Sequence, residues 1–91
     1  MGFQCTVVTP EQQAFDAEAT QVILPTHDGL IGILKDRAPI LVKVGKGSLR
    51  IDLPGGKSER FAIDGGIAQM KDNKLTILTK MAEAENQRKS E

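Results

Sequence analysis

Apolar residues recur at every second position over most of this chain, and that period constrains its fold more than any other feature. Over residues 48–53, Leu49, Ile51 and Leu53 alternate with Ser48, Arg50 and Asp52. An extended segment of this kind carries three aliphatics on one face and polar groups on the other. Leu75 and Ile77 repeat the pattern within 74–79, Phe61 and Ile63 repeat it before Asp64, and Phe3, Cys5 and Val7 line one face near the N-terminus. Residues 19–24 become apolar on both faces at their end, as an inner strand does. Turn signals at 25–29, 45–47, 54–56, 64–66 and 72–73 separate these runs. They are rich in Gly and Asn, which reach positive φ at low cost, as tight hairpins require. Short strands at such spacing predict an all-β fold, an antiparallel sandwich or barrel. Segment 30–44 has no clear period. Pro39 within it lacks a ladder donor, so the strand that follows must begin there or lie at an edge.

From Lys80 the character changes. Residues 81–89 (Met81-Ala82-Glu83-Ala84-Glu85-Asn86-Gln87-Arg88-Lys89) are mostly good helix formers, with acids before bases. Such a segment is too short to hold a helix alone in water. The expected organisation is a β domain over 1–79 and a polar tail over 80–91, frayed or forming the first part of a helix.

Size and composition narrow the function classes. With 91 residues there is room for one domain, burying roughly 60–65% of its extended-chain surface. Aromatic residues make up 3% of the chain, with neither Trp nor Tyr; three Phe residues supply no stacking platform for single-stranded nucleic acid. Twelve Lys and Arg balance twelve Asp and Glu, and the basic residues are scattered rather than gathered into a phosphate-binding stripe. Nucleic acid is therefore not the expected partner. Cys5 is the only cysteine, so no internal disulfide can form. The first residues show no basic region followed by an apolar run, and no stretch approaches the roughly 20 apolar residues of a spanning helix. The expectation is a soluble, cytoplasmic chain, without membrane insertion of its own, that can dock on a membrane complex.

No residue pattern demands catalysis. Gly56-Lys57-Ser58 ends like a phosphate-binding loop, but that motif needs Gly where Ile51 stands, and a helix after it. A strand pattern follows instead, so a hairpin turn is expected; Gly45-Lys46-Gly47-Ser48 fails in the same way. His27, the only histidine, has Asp28 as its one nearby ligand candidate, whereas a metal site needs several convergent groups. A solvated turn histidine is the simpler reading, with a contact role open because function concentrates in loops. Cys5 alternates with Phe3 and Val7 and reads as a small buried hydrophobe. Asp16, Asp28, Asp36, Asp64 and Asp72 fall at or near turns, which turn chemistry explains. No catalytic residue, metal site or cofactor is expected.

Specific blocks go further. Residues 22–34 (Val22-Ile23-Leu24-Pro25-Thr26-His27-Asp28-Gly29-Leu30-Ile31-Gly32-Ile33-Leu34), followed by Ala38-Pro39-Ile40-Leu41, resemble the F-type ATP synthase epsilon subunit family. Thr6-Val7-Val8-Thr9-Pro10-Glu11 with Phe15-Asp16, Gly47-Ser48-Leu49-Arg50-Ile51, Phe61-Ala62-Ile63-Asp64-Gly65-Gly66-Ile67 and Asn73-Lys74-Leu75-Thr76-Ile77-Leu78-Thr79 complete the likeness in order. Each block is weak alone; together they cover nearly all of the chain to Ala82.

The resemblance implies a sandwich of about ten short strands in two five-stranded sheets. It implies a non-catalytic rotor subunit of a proton-translocating synthase, joining the gamma subunit of the central stalk to the membrane c-ring and coupling proton-driven rotation to ATP synthesis. By the same resemblance, His27, Asp28, Gly29 and Leu30 would meet the c-ring, and Thr9, Arg37, Ala38 and Val42 the gamma subunit. Two positions depart from the family: Asp36-Arg37-Ala38-Pro39 stands where Gly-His-Ala-Pro is common, and Leu30 stands where an acid often faces the ring. Family members usually continue into a C-terminal pair of helices that can inhibit hydrolysis and sometimes bind ATP; this chain ends at Glu91, so no ATP binding is expected of it. The implied location is the cytoplasmic face of a bacterial plasma membrane, peripheral to it, with a plastid stroma or similar compartment as the alternative. The competing function is a free-standing β-sandwich interaction adaptor.

Overall fold

A computed structural model describes residues 2–85. It contains eight strands: β1 (Phe3–Val8), β2 (Gln13–Ala19), β3 (Gln21–Thr26), β4 (Gly29–Leu34), β5 (Ile40–Asp52), β6 (Ser58–Lys71), β7 (Lys74–Leu78) and β8 (Ala82–Ala84). Hydrogen bonding joins them in the order β2-β1-β7-β6-β5-β3-β4, with β8 on the free side of β6. All neighbours are antiparallel except β1 and β7, which run parallel from Gln4↔Lys74 to Val8↔Leu78.

Two long strands turn this one ladder into a sandwich. The first part of β5 and the last part of β6 pair with each other and continue to β7, β1 and β2. The last part of β5 and the first part of β6 pair with each other and continue to β3 and β4 on one side and β8 on the other. Each layer thus holds five strand segments, and β5 and β6 each supply one to both. The ten strands that the resemblance implies correspond to these eight, with β5 and β6 each counted once in either layer.

The bend lies where Gly45 and Gly65 fall between the pairs Val44↔Gly66 and Lys46↔Asp64. The clusters 45–47 and 64–66, expected to be hairpin turns, are instead the facing kinks of two continuous strands. Strands that pass between the layers of a sandwich make their corners at such bends. The inward-facing set changes parity there. Ile40, Val42 and Val44 point inward before the bend in β5, and Leu49 and Ile51 after it; Phe61 and Ile63 give way to Ala68 and Met70 in β6. Gly66 is the position that most requires its missing side chain. Its φ is +131°, and a Cβ there would lie 1.9 Å from the Leu78 carbonyl oxygen.

The inward faces meet in one core. Phe3, Cys5, Val7, Leu75, Ile77 and Met70 from one layer pack with Val22, Leu24, Ile33, Leu49, Ile51, Phe61 and Ile63 from the other. Every residue of the six expected from alternation (Leu49, Ile51, Phe61, Ile63, Leu75, Ile77) is buried. Phe15 of β2 meets Phe61 edge to face, centroids 5.8 Å apart, closing the core between β2 and β6.

Pro39 stands immediately before β5, whose first segment forms the outer edge of its layer, as a residue without a ladder donor requires. Of the two readings of the tail, frayed or the first part of a helix, the structure takes neither at 82–84. Ala82–Ala84 forms β8, paired with Phe61–Ile63, and the Glu85 amide donates to the Arg60 carbonyl. An open edge of β6 offers ladder partners that an isolated short helix lacks, so tertiary pairing overrides helix propensity. The remainder of that tail, 86–91, lies outside the described residues.

Candidate contact surface

The β3–β4 hairpin places the four expected ring-contact residues at its tip. Thr26 pairs with Gly29, leaving His27 and Asp28 as the loop. Neither has positive φ; Gly29 takes it instead, at +118°, the arrangement of a turn closed by a left-handed residue. Thr26 locks the tip, since its hydroxyl donates to the Gly29 carbonyl (2.8 Å) and accepts from the Asp28 amide (3.2 Å). All four residues are exposed, Leu30 at 69%. The hairpin therefore presents them from a rigid base.

They divide between two grooves that both border Thr26. His27 and Asp28 line a groove of about 400 Å³ together with Arg37, Val42 and Lys43, floored by Ile31 and Ile40. Gly29 and Leu30 line a separate groove of about 430 Å³ on the outer face of the β3–β5–β6 layer, with Ile23, Arg50 and Arg60. Residues expected to serve two partners, His27 and Asp28 for one, Arg37 and Val42 for the other, thus border a single groove. Ala38 is exposed and lines neither groove, and Thr9 lies elsewhere.

Thr9 closes the β1–β2 turn. Its hydroxyl donates to the Gln12 carbonyl (3.0 Å) and accepts from the Gln12 amide (3.2 Å). Beside it is a predominantly apolar groove of about 400 Å³ formed with Val8, Pro10, Ile67 and Leu78. Strand register explains this surface. Lys43 pairs with Ile67, Ile67 with Leu78, and Leu78 with Val8, so Ile67, Leu78 and Val8 stand side by side on the outside of the layer. Leu41 lies on the same face one row away, 67% exposed. Sequence reasoning did not single out these residues. Their signal is an apolar residue at the outward parity next to an inward one, as in Ile40-Leu41 and Ile77-Leu78.

The loop between β4 and β5, residues 35–39, carries Arg37 and Ala38. Asp36 in it has φ +63°. The Asp36 amide donates to Asn73 Oδ1 (2.7 Å), and Asn73 Nδ2 donates back to Asp36 Oδ1 (3.0 Å). Asn73 belongs to the two-residue turn between β6 and β7, where both Asp72 and Asn73 have positive φ.

On the outer face of the other layer, Arg50 and Arg60 stand directly opposite each other, a like-charge arrangement that repels. Asp52 relieves it, accepting from Arg50 Nε (2.8 Å) and from Ser58 Oγ (2.9 Å). Burial pushes the Asp52 carboxyl up, but these hydrogen bonds and the charges of Arg50 and Arg60 outweigh it and hold the carboxyl below its ordinary range. Cys5 is fully buried, and burial, with the Asp16 charge, pushes its thiol up to about 12. It is an inert packing residue. Among the described residues no three His, Cys, Asp or Glu side chains converge on a metal position.

The described residues thus form a two-layer β-sandwich with a locked hairpin tip and an exposed apolar row on one outer face. Residues 2–85 match the family described as ATP synthase, Delta/Epsilon chain, beta-sandwich domain. The chain is 43% identical over 79 residues to the ATP synthase epsilon chain of Rhodopirellula baltica, an overlap of 87% of this chain and 61% of that one. It is 38% identical over 77 residues to the ATP synthase epsilon chain of Chlorobium limicola, covering 85% and 88% of the two chains. Its fold matches a chain in the cryo-EM structure of the Euglena gracilis mitochondrial ATP synthase (OSCP/F1/c-ring) with a TM-score of 0.86 at 21% identity, covering 91% of this chain and 53% of that one, a likeness of fold alone. The chain belongs to the ATP synthase delta/epsilon-chain β-sandwich family. It spans about three-fifths of the length of several curated relatives that it matches.

Proposed function

We propose that this chain is a non-catalytic central-stalk module of a proton-translocating ATP synthase, joining the gamma subunit to the c-ring so that the two turn together. The observation that carries the reading is the union, on one rigid body, of an exposed hairpin tip and an apolar outer face. A coupler needs stiffness and two contact surfaces, and needs no nucleophile. The His27-Asp28-Gly29-Leu30 tip meets polar loops of the ring. The gamma subunit packs on the Thr9 groove and the adjoining row of Val8, Ile67 and Leu78, with Arg37, Ala38 and Val42 extending that contact around the edge formed by β5. Exposed apolar residues in such a row mark a protein partner, and the His27-Asp28 end of the tip, being polar and solvated, adds orientation more than affinity. Nucleotide has no part in this reading, and the chain sits peripherally at the membrane face that carries the synthase's soluble portion.

Affinity capture with the tagged chain from membranes of an epsilon-depleted strain tests the proposal. Gamma and c-ring should co-purify. Ile67→Asp with Leu78→Asp should abolish gamma recovery while the domain stays folded, because both side chains already face solvent. Capture of neither subunit by the folded wild-type chain would sink the proposal and favour a free-standing adaptor.

A further inference from the structure

Among the described residues, hydrogen bonds tie the loop of residues 35–39 to the rest of the fold in one place. These bonds all run through Asp36 to Asn73, two residues 37 positions apart in sequence. Pro39 has no amide to offer. The two bonds form a matched pair: the carboxamide oxygen of Asn73 takes the Asp36 amide proton, and its nitrogen donates to the Asp36 carboxylate, so a charged acceptor is satisfied as well as a backbone donor. Asp36 is held at φ +63°, a conformation that Asp tolerates better than most L-residues, and the two bonds hold it there. Asn73 is itself immobilised, because its carbonyl accepts from the Gln4 amide of β1 (3.0 Å) and its turn joins two strands of the layer.

We infer that Asn73 is a positioning residue for the partner contact: by clamping Asp36 it fixes the direction in which Arg37 and Ala38 leave the β4–β5 loop. The inference rests on the reading that this loop meets the gamma subunit. The clamp crosses from the loop joining the two layers to the far turn of one of them, so the loop moves with the body of the sandwich. A loop ordered in advance loses less freedom on binding.

Asn73→Gly removes the clamp and leaves an Asp-Gly dipeptide, which favours this turn, so the fold is retained. Amide exchange at Asp36 should accelerate roughly five- to tenfold, the scale of one or two lost hydrogen bonds. The affinity of the 91-residue chain for isolated gamma should fall by a similar factor. Asn73→Asp should behave like Asn73→Gly or worse, since two carboxylates then face each other. The double variant Asp36→Asn, Asn73→Asp reverses the roles: the backbone amide and the new carboxamide at position 36 both donate to the carboxylate at position 73. It should restore both exchange protection and affinity. Unchanged exchange at Asp36 in Asn73→Gly would overturn the clamp. Faster exchange with unchanged affinity for gamma would overturn the positioning role. If wild-type chain fails to bind gamma at all, the underlying reading falls and this inference falls with it. A double variant no better than Asn73→Asp would also refute it.

Discussion

Gly66→Ala is the most demanding test of the architecture, because it attacks the point where β6 crosses between layers. A Cβ on Gly66 would lie 1.9 Å from the carbonyl oxygen of Leu78, and 2.9 Å from both the Leu78 carbonyl carbon and Thr79 Cα. These are backbone atoms, so no side-chain rotation relieves the clash; the end of β7 must move by more than about 1 Å, roughly the shortfall from ordinary van der Waals separation. That end is tied on both sides, by the pairs Ile67↔Leu78 and Val8↔Leu78 and by the bond from the Thr79 amide to the Val8 carbonyl (3.0 Å). Backbone strain at φ +131° costs about 1–3 kcal/mol. Breaking one or two ladder bonds with their groups left unpaired costs about 1–3 kcal/mol each. The expected destabilisation is about 3–5 kcal/mol, against a total of roughly 5–14 kcal/mol for a chain of this size. It should lower the melting temperature by roughly 15–30 °C. Gly32→Ala is the reference. Its φ is not positive and its Cβ would meet only Gln21 Nε2 at 3.5 Å, so its effect should stay within about 1 kcal/mol. Urea and thermal unfolding followed by circular dichroism measure both. Gly66→Ala within about 1 kcal/mol of Gly32→Ala would refute the crossing geometry.

Phe61→Ala should cost about 3–5 kcal/mol by chemical denaturation, since it empties the space where Phe61 meets Phe15; a loss below about 1 kcal/mol would mean the face assignment is wrong. Cys5 should resist thiol reagents in the native chain. With its folded-state thiol near 12 and an unfolded one near roughly 8.5, its contribution is fully present below that lower value. It is lost as pH rises between the two, and Cys5→Ala should remove that alkaline slope. Asp52 acts at the acid end: its depressed carboxyl contributes stability that is present above the ordinary carboxylate range and lost as pH falls through the folded-state value. Asp52→Asn should flatten this acid limb of an unfolding-versus-pH series. Replacing His27, Asp28 and Leu30 together by Ser should leave the melting temperature nearly unchanged, because all three are exposed, while weakening recovery of the c-ring; full recovery would move the ring contact elsewhere.

Strand alternation makes the inward faces of β5, β6 and β7 legible in the sequence, because a period of two maps directly onto sheet faces. The glycine clusters at 45–47 and 64–66 mislead for a physical reason. Glycine relieves both a tight turn and a bend in a continuous strand, and only the partner across the ladder distinguishes them. Ala82-Glu83-Ala84 reads as helix from propensity alone, and the open edge of β6 decides otherwise. The hairpin tip is legible as a loop bounded by apolar runs. Its division between two grooves is not, because that depends on which side of the layer Gly29 turns Leu30 toward. Nor can spacing reveal the apolar row of Val8, Ile67 and Leu78, or the Asp36–Asn73 clamp, since each joins distant segments through sheet register.

Proton-driven ATP synthesis in membranes whose synthase lacks its epsilon subunit tests the central claim most directly. Added back, the 91-residue chain should assemble with gamma and ring and restore synthesis at the expense of the proton gradient. A folded chain that stays outside the complex, or enters it and leaves rotation uncoupled, would contradict the account.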